Sequence, residues 1–158
     1  MKTVLYVDDN PDELFLVERA CRNGRVSFQL KTTNSGRAAI RYLSGDGGFA
    51  NRTENPFPDL ILLDLKMPEM DGFQVLRWIR TNPGTQMMTV ALFSASLDPG
   101  DVAKSYAEGA DYFIIKPSAL ATLIEIVRAA DEFLASDSTN CEALTRFSEP
   151  KERPQHTG

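Results

Sequence analysis

The sequence predicts an α/β fold, a doubly wound (βα)5 unit whose five-stranded parallel sheet carries helices on both faces. Short β-rich apolar runs alternate with helical patterns five times along the chain, the mark of parallel strands joined by crossover helices. The clearest run, Asp59-Leu60-Ile61-Leu62-Leu63-Asp64, is apolar throughout its middle, as a strand covered on both faces must be. With 158 residues and 42% hydrophobic content, the chain can fill one core and has little length left for a second folded domain.

The first strand, 2–7, ends in Asp8 and Asp9, and Asn10-Pro11-Asp12-Glu13 opens a helix. Asn10 caps that helix, Pro11 suits its first turn, and the two acids complement its dipole. Leu14, Phe15, Val17 and Cys21 continue at helical spacing until Asn23-Gly24 stops it. Residues 27–32 read as a second strand, and Ser35 caps a helix carrying Ala38, Ala39, Ile40, Tyr42 and Leu43. Residues 44–58, rich in Gly, Asn and Pro, predict an exposed loop of a length at which loops are often functional or mobile. The third strand ends on Asp64. A helix over 73–81 then buries Val75, Leu76 and Ile79 and breaks at Asn82-Pro83-Gly84. The fourth strand, 89–93, ends at Ser94; Asp98-Pro99 opens the fourth helix and Gly109 closes it. Residues 112–115 form the fifth strand, stopped by Lys116-Pro117, and Ser118 caps a long last helix. The expected strand order is the flavodoxin-like 2-1-3-4-5.

Composition removes several function classes. The formal charge is -5 from 17 basic and 22 acidic residues, without a long Lys/Arg run, which argues against nucleic-acid binding. The apolar stretch after Met1 is too short for a signal peptide or a membrane span, so a cytoplasmic protein is expected. Cys21 and Cys141 suggest neither a disulfide framework nor a thiolate metal site, and the single histidine, His156, leaves no multi-His centre. The chemistry must rest on carboxylates.

In an open parallel sheet, ligands gather outside the carboxyl ends of the strands where the strand order reverses, here between strands one and three. Those strands end in Asp8-Asp9 and Asp64, and strands four and five end in Ser94 and Lys116. Any one polar strand end is ordinary. Three carboxylates at one rim repel one another unless a cation sits among them, and Mg²⁺ takes one or two carboxylates while accepting phosphoryl oxygens from a substrate. A strand-end aspartate is also a competent nucleophile toward phosphorus, with a metal and a lysine neutralising the phosphoryl oxygens.

At these residues the chain resembles the response-regulator receiver (CheY-like) family. The motifs are YVDDNPDE at 6–13, LILLDLKMPEMDG at 60–72, LFSAS at 92–96 and FIIKP at 113–117. The resemblance covers about 2–134, so residues 1–135 would be the receiver domain and the polar segment 136–158 a mostly disordered tail. It implies that Asp64 takes a phosphoryl group from a histidine kinase, as part of a phosphorelay. Asp9 and Asp64 would bind Mg²⁺ directly, Asp8 would orient a metal-bound water, and the backbone carbonyl of Lys66 would complete the protein ligands. Ser94 would hydrogen-bond the phosphoryl group, Lys116 would pair with it, and the Lys116–Pro117 bond would be cis. Phe113 matches the aromatic switch position, turning inward as Ser94 moves to the phosphate.

The 44–58 loop, the DLILLDLKMP run and the short tail most resemble the stand-alone receivers that accompany phytochrome-type sensor kinases. No length remains for an output domain, so the expected downstream partner is a protein target or a phosphotransfer protein. A second apolar strip on the last helix, Ile126 and Phe133 with Ala119, Ala129 and Ala130, suggests a homodimer or kinase-docking face. Two other classes compete. A haloacid-dehalogenase-type phosphatase wants a second Asp two positions after the nucleophile, where this chain has Lys66. A decayed, phosphate-independent receiver is opposed by intact Asp8, Asp9, Asp64, Ser94 and Lys116. Lys66 stands where many members of the receiver family carry Asn or a smaller residue, Ser96 stands at a position that varies among them, and both line the approach to the phosphate.

Overall fold

The computed structural model describes residues 1–136 and 142–151. Its elements alternate strictly: β1 (Thr3–Val7), α1 (Pro11–Gly24), β2 (Gln29–Thr33), α2 (Gly36–Ser44), β3 (Leu60–Leu63), α3 (Gly72–Thr81), β4 (Val90–Ser94), α4 (Pro99–Ala107), β5 (Tyr112–Ile115) and α5 (Leu120–Ala135). All five strands are parallel, in the order 2-1-3-4-5. The register sets Val7 beside Leu63 and Leu63 beside Leu92, so the strands finish nearly level. The ladder continues one residue further, Asp64 N–H donating to Val7 C=O (3.0 Å) and Lys116 N–H to Ser94 C=O (2.8 Å). That extension places Asp8, Asp64, Ser94 and Lys116 in one row.

The sheet separates two cores. Tyr6, Leu62 and Phe93 face Val17 of α1 and Ile126 and Val127 of α5, while Leu5, Leu63 and Leu92 face Val75 and Ile79 of α3 and Phe113 lies on the same side. The helix starts follow the local chemistry: Asn10 accepts from Asp12 N–H at 2.9 Å, Ser35 from Ala38 N–H at 3.0 Å and Asp98 from Gly100 N–H at 2.9 Å. Asp71 and Gln74 close a reciprocal capping box on α3.

Several boundaries differ from expectation. β2 begins at Gln29 because Ser27 turns its N–H to the Asp131 carboxylate at 3.0 Å. α1 runs through Gly24, and Arg25 takes the left-handed turn with φ 52°. α5 starts at Leu120 behind Ala119, without the side-chain cap expected from Ser118. The 44–58 loop is tied down by Arg52, whose guanidinium donates to Tyr42 C=O (2.7 Å) and Leu43 C=O (2.9 Å) and lies 4.0 Å from the Phe57 ring centroid. Both carbonyls belong to the last turn of α2, where Tyr42 C=O also accepts Gly45 N–H at 3.2 Å. Every peptide bond among the described residues is trans, including Lys116–Pro117, which corrects the expected cis bond; trans is the ordinary state, favoured by roughly 0.5–1 kcal/mol before proline.

The apolar strip on α5 needs a different reading too. Ile126, Ala129 and Ala130 are buried within the chain, Phe133 packs edge-on against Tyr112 at 5.9 Å and Ala119 alone is exposed, so most of the strip belongs to the core. The tail also departs from expectation. Residues 137–141 and 152–158, with Cys141 and His156, lie outside the described residues, but 142–151 form a strap along β5. Leu144 is fully buried, a 3₁₀ turn spans Thr145–Phe147, Phe113 N–H donates to Ser148 Oγ (3.0 Å), and Glu149 N–H donates to Phe113 C=O (2.7 Å). Tyr106 of α4 bonds Ser148 Oγ (2.9 Å) and the Glu149 carbonyl. Ala143, Leu144 and Phe147 supply apolar contacts in an otherwise polar segment. Leu144→Ala is therefore expected to lower unfolding stability by about 2–3 kcal/mol in urea titrations; a change under about 0.5 kcal/mol, typical of an exposed site, would mean that the strap is not docked in solution.

Candidate functional site: an acidic pocket at the strand ends

Asp8 leaves β1 with its side chain fully buried, and both carboxylate oxygens are engaged: Oδ1 accepts Asn10 N–H (3.0 Å), and Oδ2 accepts both Tyr6 Oη (2.5 Å) and Lys116 Nζ (2.6 Å). Asp64 leaves β3 nearly buried, with Lys116 Nζ 3.4 Å from its Oδ1. Asp9 is exposed beside them. These three aspartates offer one oxygen each within 4.8 Å of one another, a donor set suited to one hard cation. No other such group of acidic, His or Cys residues occurs among the described residues.

The pocket is about 510 Å³, and Glu13, Lys66, Ser94 and Ser96 share its walls with the three aspartates and Lys116. Ser94 is buried at the end of β4, its Oγ accepting Ser96 N–H (3.2 Å). At the mouth, Lys66 Nζ lies 3.3 Å from Asp101 Oδ2, which also accepts Ser96 Oγ–H at 2.6 Å. These contacts join the loop after β3 to the first turn of α4. Gly72 brings α3 against the site: a Cβ there would sit 2.5 Å from Asp64 O and 2.8 Å from Leu65 Cα, both backbone atoms that cannot give way. Phe113 is fully buried in the core below Ser94, its backbone held by the strap.

Burial pushes the Asp64 carboxyl up to about 6, Lys116 opposing the rise and Asp8 adding to it. Burial alone would lower Lys116, but the bond to Asp8 and the charges of Asp64 and Asp8 outweigh it and hold the ammonium above its ordinary value. Burial and Asp8 raise the Tyr6 phenol far beyond its usual range, so it remains a donor. The hydrogen bond from Ser96, with Lys66 beside it, keeps Asp101 below the usual carboxylate range.

All five residues expected at the rim are thus brought together, and Lys66 joins them. Tyr6 and Asp101 were not foreseen. Tyr6 was within reach, because residues two apart on a strand share a face and Tyr6 carries the one hydroxyl on the face of β1 that leads to Asp8. Asp101 offered only an acid in the first turn of a helix, an ordinary dipole partner.

The response regulator receiver domain model matches residues 4–128. The chain belongs to that family: it is a receiver domain of two-component response regulators, signalling domains that take a phosphoryl group on an aspartate from a histidine kinase and bind Mg²⁺ or Mn²⁺ at an acidic pocket. Among its relatives is response regulator Rcp1 of Synechocystis sp. (strain ATCC 27184 / PCC 6803 / Kazusa), 30% identical over 132 residues that cover 84% of this chain and 88% of Rcp1. The solved Mn²⁺-bound form of Rcp1 superposes with a TM-score of 0.74 at 29% identity, covering 88% of this chain and 98% of that one. The phosphorylated cyanobacterial phytochrome response regulator RcpA gives a TM-score of 0.77 at 34% identity, with 87% and 96% covered. Response regulator RPA3017 in red light signaling of R. palustris gives 0.81 at 26% identity, with 88% and 97% covered. No helix among the described residues is long and apolar enough to cross a membrane.

Proposed function

We propose that Asp64 is the phosphoacceptor and that the chain signals through protein contacts without turning over a metabolite. A carboxylate oxygen of Asp64 attacks the phosphorus of a kinase phosphohistidine; the O–P bond forms as the N–P bond breaks, and its electron pair leaves with the imidazole nitrogen. Lys116 moves from Asp8 to a phosphoryl oxygen, and Ser94 donates to another. Asp9, Asp64 and the Lys66 carbonyl would hold Mg²⁺, with Asp8 placed to orient a bound water, and the ion would supply positive charge to the phosphoryl oxygens. Phe113, expected to turn inward, is already fully buried, so the withdrawal of Ser94 would repack it within the core and alter α4 and β5 for a downstream protein or a phosphotransfer partner. A phytochrome-type histidine kinase is the proposed donor, on the likeness to RcpA, and a cytoplasmic location accords with such a partner.

The observation that carries this reading is Lys116 Nζ poised between Asp8 (2.6 Å) and Asp64 (3.4 Å) beside an exposed third carboxylate. Intact mass after incubation with acetyl phosphate tests it. A phosphoryl adduct that requires Mg²⁺ is expected on the wild type and none on Asp64→Asn. A wild type that stays unmodified by acetyl phosphate and by a cognate kinase would end the proposal in favour of a phosphate-independent module.

A further inference from the structure

We propose that Tyr6 is a positioning residue for the metal site, its hydroxyl fixing the Asp8 carboxylate in the orientation that meets a divalent cation. The proposal rests on the assignment of Asp8, Asp9 and Asp64 as the Mg²⁺ pocket and adds a residue outside it.

A carboxylate offers about four acceptor directions. At Asp8 three are taken, one on Oδ1 by Asn10 N–H and two on Oδ2 by Tyr6 Oη and Lys116 Nζ. One remains, on Oδ1. Two donors on Oδ2 and one on Oδ1 therefore prevent the group from rotating about its Cβ–Cγ bond, and the cation or its water meets a fixed acceptor. Lys116 is a poor permanent anchor, since the proposed reaction draws it to the phosphoryl group. Tyr6 stays in place: its ring is fully buried and packs edge-on against Phe93 at 5.9 Å. After Lys116 leaves, its hydroxyl is the donor that keeps Oδ2 satisfied.

The alternative is that Tyr6 is simply a core residue. A Phe would fill that role equally well, since the ring supplies the packing and a buried hydroxyl is costly unless bonded. The hydroxyl of Tyr6 is spent on Asp8, and hydrogen bonds that hold the carboxylates around a metal site generally tune its affinity.

The test uses the whole chain and two variants. Mn²⁺ and Mg²⁺ affinities are measured by direct titration, together with the rise in unfolding temperature that each metal produces. Tyr6→Phe is expected to weaken both metals about 10-fold and to shrink the metal-induced rise. Val17→Ala, which loosens the same core without touching the hydroxyl, is expected to lower the unfolding temperature while keeping metal affinity within about 2-fold of wild type. The idea is overturned if Tyr6→Phe binds both metals like wild type, or if Val17→Ala weakens them as much, since the effect would then be packing. Neither titration needs phosphorylation, so a failure here is separable from a failure of Asp64 as phosphoacceptor.

Discussion

Lys116→Met is expected to unfold about 3 kcal/mol more readily than wild type in metal-free buffer, and to accept phosphoryl groups from acetyl phosphate at least about 100-fold more slowly. The lysine is largely buried between Asp8 and Asp64, whose side chains are 1% and 9% exposed. Methionine fills the volume and leaves two carboxylates facing one another without a cation, the case in which breaking a buried pair is most costly. Mg²⁺ should restore much of the lost stability, because a divalent ion among Asp8, Asp9 and Asp64 supplies the missing charge. It should restore little of the rate, since no group remains to neutralise the phosphoryl oxygen that Lys116 would bind. Denaturant titrations with and without Mg²⁺ separate these effects; equal metal-free stability of the two proteins would show that water, not Lys116, balances the pocket.

Asp64→Asn should lose phosphorylation altogether and yet, without metal, outlast wild type on heating near neutral pH. The sign follows from the raised pKa. A free aspartate ionises near 3.8 and Asp64 near about 6 in the fold, so the fold prefers the protonated form, and stability present below the lower value is lost as pH rises through the upper one. Asparagine carries no charge to lose. The two proteins should therefore unfold alike at about pH 4 and diverge up to about pH 6–7, reaching about 1–2 kcal/mol after allowance for solvent screening. Saturating Mg²⁺ should reverse the order, because the ion stabilises the ionised carboxylate and asparagine is the weaker ligand. Parallel melts across that pH range decide the matter; a wild type that is the more stable at neutral pH without metal would mean that Lys116 already neutralises Asp64 completely.

The rim of the site was legible in the sequence because it depends on backbone facts. Apolar runs fix where strands end, parallel order fixes which ends adjoin, and Asp8, Asp64, Ser94 and Lys116 are the residues at those ends. What depended on contact between distant segments was hidden. Nothing in the spacing of Asp101 foretold its bonds to Lys66 and Ser96 across the pocket mouth. The apolar residues of α5 were visible as a strip, but their partners were not: Ile126, Ala129 and Ala130 are used up inside the chain. The average polarity of 136–158 predicts a mostly disordered tail, whereas Leu144 and Ser148 within it are placed by their individual partners. The trans bond at Pro117 is a similar case, the resemblance predicting an isomer that this backbone does not adopt.

The strap also bears on how the sheet ends sideways. A five-stranded open sheet has two outer strands, each with unpaired backbone groups that could recruit a strand from another molecule. On β2 the sequence Gln-Leu-Lys-Thr-Thr deters such pairing with polar side chains and a lysine. β5 reads Tyr-Phe-Ile-Ile, a composition favourable to intermolecular β-pairing, with no charge to discourage it. There Ser148 and Glu149 occupy the outward N–H and C=O of Phe113. One flank of the molecule is thus guarded by the composition of its outer strand and the other by a bonded strap, and any extended peptide that sought β5 would first have to displace residues of this same polypeptide.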